Sequence, residues 1–310
     1  MVRSVLIYGI LLCSQSLAMQ DILAPHPEQE LLPGLLSSME LFSEYTAAAT
    51  CSMNFNSPGG TKVVCEPKVC PMLENMETTV LMGFTNLNPG NTTGYLAVDN
   101  TNHLLILSFR GSRTAGNRKA DGQYQQRDIP WICQGCQVHS GFYNSWTNNS
   151  EYIVAAVNMY ADAYRDYPIV FIGHSLGGAI ATLGAVLEDW GRDITLFTYG
   201  CPELGNYDFA NYITNTFGTQ GTKGFGVRVT HTNDPIPKVL SNDKNISKDW
   251  QYSTTSPEFW ITSKNHVPVT EDDIKVIYGI DNKSGNLGTN TSDPFAHNWY
   301  FGDMAGCRGN

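Results

Sequence analysis

Five stretches of the chain are apolar with little polar interruption: 104–109 (LLILSF), 169–172 (IVFI), 194–199 (ITLFTY), 225–230 (FGVRVT) and 274–280 (IKVIYGI). They are short and rich in β-branched and aromatic residues, which predicts strands covered on both faces. Between them lie longer stretches, 152–164 and 176–190, dominated by Ala with Val, Met or Leu, and these predict helices. Strands alternating with helices predict an α/β fold with a mostly parallel central sheet and helices on both faces. No internal repeat or low-complexity linker interrupts the pattern, so a single domain is expected over 30–310.

The first residues break this pattern. Arg3, an apolar run over 5–12 and the small-residue site Ser16-Leu17-Ala18 predict a secretory signal peptide over 1–18. Residues 19–29 are polar and Pro-containing, as in a propeptide or a loose N-terminal arm. The apolar run is too short to span a bilayer and no later run is long enough, so no stable membrane insertion is expected.

Composition narrows the partners. Of 310 residues 42% are hydrophobic and 15% charged, a globular rather than a disordered balance. The formal net charge of -10 repels phosphate backbones, so nucleic acid is not an expected partner. A monomeric chain is the expectation.

Secretion makes disulfides plausible. Cys13 falls in the signal peptide and seven cysteines remain. Cys65 with Cys70 and Cys133 with Cys136 are close pairs, and Cys51 and Cys307 stand near the two ends and could tie them together. Cys201 is then an odd, buried and inert thiol. No zinc spacing is present. Five sequons, at Asn91, Asn148, Asn245, Asn282 and Asn290, fit N-glycosylation.

The sharpest chemical feature is Gly173-His174-Ser175-Leu176-Gly177-Gly178, a G-x-S-x-G pattern between an apolar strand and a small-residue helix. A serine nucleophile must stand on a tight, strained turn, and Gly173 and Gly177 remove the side chains that would clash there. The helix start points backbone N–H groups at the site, where a developing oxyanion gains from them. A serine hydroxyl needs a base, and in this pattern an acid and then a histidine follow in the chain. Asp234 ends an apolar strand at a Pro-stopped loop; Asp208, in a helical-looking segment, is its rival. His266 and His297 both lie further on, and His297, followed by aromatics that could anchor it, is favoured by position. His174 belongs to the turn, and His139 and His231 read as buried groups satisfying core polar atoms.

Long stretches of the chain carry a resemblance: AVDNTNHLLILSFRGSR, GHSLGGAIATL, RVTHTNDPIPK, SPEFWI and FAHNWYFG. With these motifs the chain resembles the filamentous-fungal class 3 lipases, the type known from Thermomyces and Rhizomucor, from about residue 41 to 307; fungal feruloyl esterases are related. The resemblance implies an α/β-hydrolase fold and a triad of Ser175, Asp234 and His297. It further implies an oxyanion hole from Ser112 and the Leu176 N–H, disulfides Cys51–Cys307, Cys65–Cys70 and Cys133–Cys136, and cleavage of a lipid or ester substrate, met at a lipid–water interface, through an acyl-enzyme with no metal or cofactor. The family's lid falls on Thr114, Ala115, Gly116, Asn117, Arg118 and Lys119. Where the family has an apolar helix with a Trp, this segment is polar and carries Gly116 and Gly122. It is expected to be a poor helix and a poor apolar cover, which points either to a lipase with a polar gate or to a soluble-ester esterase.

Overall fold

Each of the five apolar runs becomes a strand of one eight-stranded sheet. The computed structural model describes residues 31–218, 221–244, 246 and 250–307. The expected signal peptide (1–18), the arm (19–29) and the sequon at Asn245 lie outside the described residues.

In chain order the sheet contains β1 (Thr78–Leu87), β2 (Thr92–Asp99) and β3 (Leu104–Phe109); β4 (Gln126–Asp128) and β5 (Gln137–His139) form a separate two-stranded ribbon. The sheet continues with β6 (Ile169–His174), β7 (Ile194–Tyr199), β8 (Gly224–His231), β9 (Glu258–Ile261) and β10 (Ile274–Ile277). Its lateral order is β1-β2-β3-β6-β7-β8-β9-β10. Neighbours from β3 to β9 run parallel, while β1, β2 and β10 add antiparallel edges. The last run stops at Ile277, three residues short of the expected end, because Gly279 takes φ 102° and turns the chain.

Seven helices concern the argument: α1 (Leu35–Ala48), α2 (Ser52–Phe55), α3 (Ala115–Asp121), α4 (Ser140–Thr147), α5 (Ser150–Ala163), α6 (Leu176–Leu187) and α7 (Tyr207–Phe217). Strand periodicity divides the core between the two faces. Leu105, Leu107 and Phe109 of β3, with Ile169 and Phe171 of β6, pack on the side of α4, α5, α6 and α7. Leu104 and Ile106, with Val170 and Ile172, pack with Met39, Phe42 and Tyr45 of α1 on the other. Each fully buried side chain of this size contributes about 1.5–3 kcal/mol. Double-sided burial is why these strands read as unbroken apolar runs. Gly184 lets α6 close on α4: a Cβ there would lie 2.9 Å from the Trp146 ring.

Disulfides join Cys51 to Cys307, Cys65 to Cys70 and Cys133 to Cys136. Cys201 is free and buried, and burial pushes its thiol up to about 12.

Candidate active site

Strand β6 runs straight into α6, and the residue between them, Ser175, has φ 57° and ψ -129°. That left-handed backbone costs a non-glycine residue on the order of 1–3 kcal/mol and persists only where its surroundings over-determine it. Here the Ser175 N–H donates to Tyr199 O at 2.9 Å, while the Ser175 carbonyl accepts from Gly178 N at 2.9 Å and Ala179 N at 3.2 Å. The glycines are required: a Cβ on Gly173 would sit 2.2 Å from Gly177 C, and one on Gly177 would sit 2.2 Å from Phe109 O. Leu176 opens α6, so its N–H is one of the amides that no earlier helical turn can accept.

The candidate acid, Asp234, follows the end of β8. Asp234 is fully buried. Its Oδ1 accepts from Ile236 N at 2.8 Å, and its Oδ2 accepts from Tyr300 Oη at 2.6 Å and His297 Nδ1 at 2.9 Å. A buried carboxylate is tolerated because three donors replace its water. His297 lies on a short 3-10 turn, Ala296–Asn298. His174 supports it: its Nε2 is 2.6 Å from His297 O, and the two rings lie tilted at 35° with centroids 4.4 Å apart. Burial, reinforced by His297, holds the His174 pKa well below the ordinary imidazole value, so neutral His174 donates to that carbonyl.

Ser112, Ser175 and His297 line one cavity with Arg110, Arg113 and Asn298. Among the described residues the Ser175 hydroxyl has no hydrogen-bond partner, which does not count against a nucleophile, since hydrogen bonds in enzyme sites often tighten only when substrate enters. Of the rival residues, Asp208 sits in the first turn of α7, and His266 is exposed against the Trp299 ring. Neither lines the cavity. His139 and His231 are buried and bonded to carbonyls, His139 to Asp121 O at 3.2 Å and His231 to Ser263 O at 2.9 Å.

The lid segment departs from its expectation. Residues 115–121 form α3, a helix despite Gly116 and the polar sequence. The reason is capping. Thr114 Oγ1 accepts from Asn117 N at 3.2 Å, and Asn117 Oδ1 accepts from Thr114 N at 3.0 Å, a reciprocal box. Asn117 Nδ2 also donates to Gly90 O at 2.8 Å and Asn91 O at 3.1 Å, which docks the helix on the β1–β2 turn. Arg118 and Lys119 remain exposed, so the outer surface of α3 is cationic. From its C-terminal end Asp121 accepts the Ser112 hydroxyl at 2.8 Å. Asn117 was expected only as part of the lid segment, not as its cap and anchor; Asp121 and Tyr300 were not legible as site residues, although the FAHNWYFG stretch hinted at Tyr300 by adjacency to His297.

Comparison with known proteins agrees with this geometry. Residues 106–244 match the family model described as lipase (class 3). The secreted mono- and diacylglycerol lipase A of Penicillium cyclopium is 36% identical over 271 residues, spanning 86% of this chain and 84% of that protein. The chain belongs to the class 3 lipases. A second member, the secreted mono- and diacylglycerol lipase 1 of Fusarium solani, is 34% identical and aligns over 88% of this chain and 78% of its own length. The crystal structure of a mono- and diacylglycerol lipase from Aspergillus oryzae superposes with a TM-score of 0.77 at 33% identity, covering 88% of this chain and 98% of that one.

Proposed function

We propose that this class 3 lipase is secreted, acts as a monomer and hydrolyses acylglycerol esters, mono- and diacylglycerols foremost, through an acyl-enzyme on Ser175. The observation that carries the reading is the buried Asp234–His297 pair opening, with Ser175, onto one cavity.

Ser175 Oγ attacks the ester carbonyl while His297 Nε2 takes its proton. Asp234, held by Tyr300 and Ile236, keeps the His297 Nδ1–H pointed inward and stabilises the imidazolium. The Leu176 N–H and Ser112 hold the oxyanion. Ser112 now donates to Asp121, so its hydroxyl must exchange that bond before it serves the oxyanion. His297 then protonates the departing glycerol oxygen, and water, activated by the same imidazole, releases the fatty acid.

The partial-glyceride preference is taken from the relatives' names and is supported by the polar α3. The exposed Arg118 and Lys119 also favour a second reading, an esterase for soluble esters such as feruloyl esters. Hydrolysis rate measured against a short-chain glyceride, through its solubility limit and beside a feruloyl ester, separates the two. A rate jump at the limit supports the lipase. A smooth saturating curve with efficient feruloyl turnover rejects it for the esterase.

A further inference from the structure

We propose that the cavity beside Ser175 holds a second subsite, built on Arg110, that binds an oxyanion: a carboxylate or a phosphate carried by substrate or product. The placement of that anion next to a reacting ester rests on the reading of Ser175 as nucleophile; the binding itself does not.

Arg110 is the first residue after β3 and is 9% exposed. Its backbone N–H donates to Thr93 O at 2.9 Å. Its Nε and Nη2 are enclosed without a hydrogen-bond partner among the described residues. The guanidinium lies over the Phe55 ring at 5.3 Å, a contact that satisfies charge but no N–H. A guanidinium removed from water is costly unless an anion or acceptor meets its donors. Burial, and then Arg113 beside it, pull its pKa to about 10, so both neighbours disfavour the charge that an anion would restore.

The surroundings point the same way. Among the described residues lining the cavity there is no Asp or Glu. Asp121 and Asp303 bond to lining groups, Ser112 Oγ and Ala305 N, without lining it themselves. The Thr46 and Thr50 hydroxyls spend their protons on Phe42 O and Ala47 O, so the cationic donors dominate that wall. Arg113 lies in the wall too, donating to Ala305 O at 3.1 Å and Cys307 O at 2.7 Å. Residues 110–119 hold four cations, Arg110, Arg113, Arg118 and Lys119, and no acid, in a chain of net charge -10. Such a focus of one sign draws anions to this mouth, and a planar guanidinium suits two-oxygen recognition of carboxylate or phosphate. The carboxylate would be that of the fatty acid just released; the phosphate, that of a phosphorylated glyceride.

The test uses inorganic phosphate and butyrate, each against chloride at equal ionic strength. Thermal midpoint is read on wild type and on Ser175→Ala, and inhibition of 4-nitrophenyl butyrate hydrolysis on wild type. The expected result is a saturable rise in midpoint in both proteins and competitive inhibition, with KM raised and kcat unchanged. Arg110→Gln should weaken anion binding about tenfold or more, as expected for a charged hydrogen-bonding pair, and Arg110→Lys by a smaller factor. Binding of butyrate alone assigns the subsite to product; of phosphate alone, to a phosphorylated substrate. Neither anion acting beyond chloride overturns the proposal, as does a folded Arg110→Gln, or Arg110→Lys if that is the variant that folds, binding as tightly as wild type. Anion binding by a protein inert to every ester would leave this site standing and remove the hydrolase reading instead.

Discussion

The elbow at 173–177, a strained turn, and the expected lid segment at 114–121, a capped helix, are both short and glycine-containing and adjoin residues that line the same cavity, yet they are held in different ways. The elbow is announced by its immediate neighbours in sequence, although Tyr199 O and the backbone of Phe109 also meet it. A buried strand enters, a buried helix leaves, and two glycines remove the atoms that would otherwise meet backbone at 2.2 Å. The lid is fixed from a distance. Asn117 reaches Gly90 and Asn91, 27 and 26 residues away, and His139 reaches the Asp121 carbonyl. A G-x-S-x-G string therefore announces the first, whereas a list of helix propensities misjudges the second. A glycine inside a helix costs about 1 kcal/mol, and the capping box with two further side-chain bonds offsets that cost.

The comparison can be broken most severely at the elbow. Ser175→Ala should lower kcat for ester hydrolysis by about 10⁶-fold, the scale of losing such a nucleophile, with an unchanged far-UV circular dichroism spectrum. Activity within tenfold of wild type would move the nucleophile elsewhere. Ser112, which touches the lid through Asp121, should come next. Ser112→Ala is expected to cost about 10²–10³-fold in kcat, as for one oxyanion donor, with KM little changed; a loss confined to KM would make it a binding group instead.

On the lid side the effects should be smaller and local. Asn117→Ala removes the reciprocal cap and both docking bonds, a loss on the order of 1–2 kcal/mol. Hydrogen exchange over 115–121 should quicken while α6 keeps its protection. Equal loss of protection in α6 would show that the two regions are not independently held.

The gentlest probe is pH. Burial pulls the His139 pKa to about 4 in the folded chain, against 6.5 for an ordinary imidazole, and holds His174 well below it too. Above 6.5 both states carry these imidazoles neutral, and their contribution is fully present. Below it the unfolded chain takes up protons first, so stability falls as pH drops from 6.5 towards 4. Chemical denaturation of wild type and His139→Gln should differ in this slope by roughly 1–3 kcal/mol over that window, the variant being flatter; parallel curves would deny His139 the role of a neutral anchor under α3.

The same contrast explains what was legible. Strands buried on both faces announce themselves, and β3 and β7 coincide with their apolar runs. Strand β2, TTGYLAVD, is buried throughout but carries Thr, Gly and Asp whose partners lie elsewhere: Asp99 accepts from Tyr45 Oη at 2.8 Å, 54 residues away. No local pattern encodes such a bond. Ser175 was legible from adjacent residues, Asp234 and His297 from chain order and resemblance. Tyr300, Asp121, Arg110 and the docking role of Asn117 acquire meaning only from contacts made across the fold.

The most direct test of the central claim is covalent. A lipid-like phosphonate ester with a 4-nitrophenolate leaving group is incubated with the protein, and the adduct is mapped by peptide mass spectrometry. The account predicts one equivalent of nitrophenolate released and one phosphonyl group on Ser175, with loss of the adduct in Ser175→Ala. Stoichiometric labelling of any other residue, or no labelling of a folded protein, would contradict it.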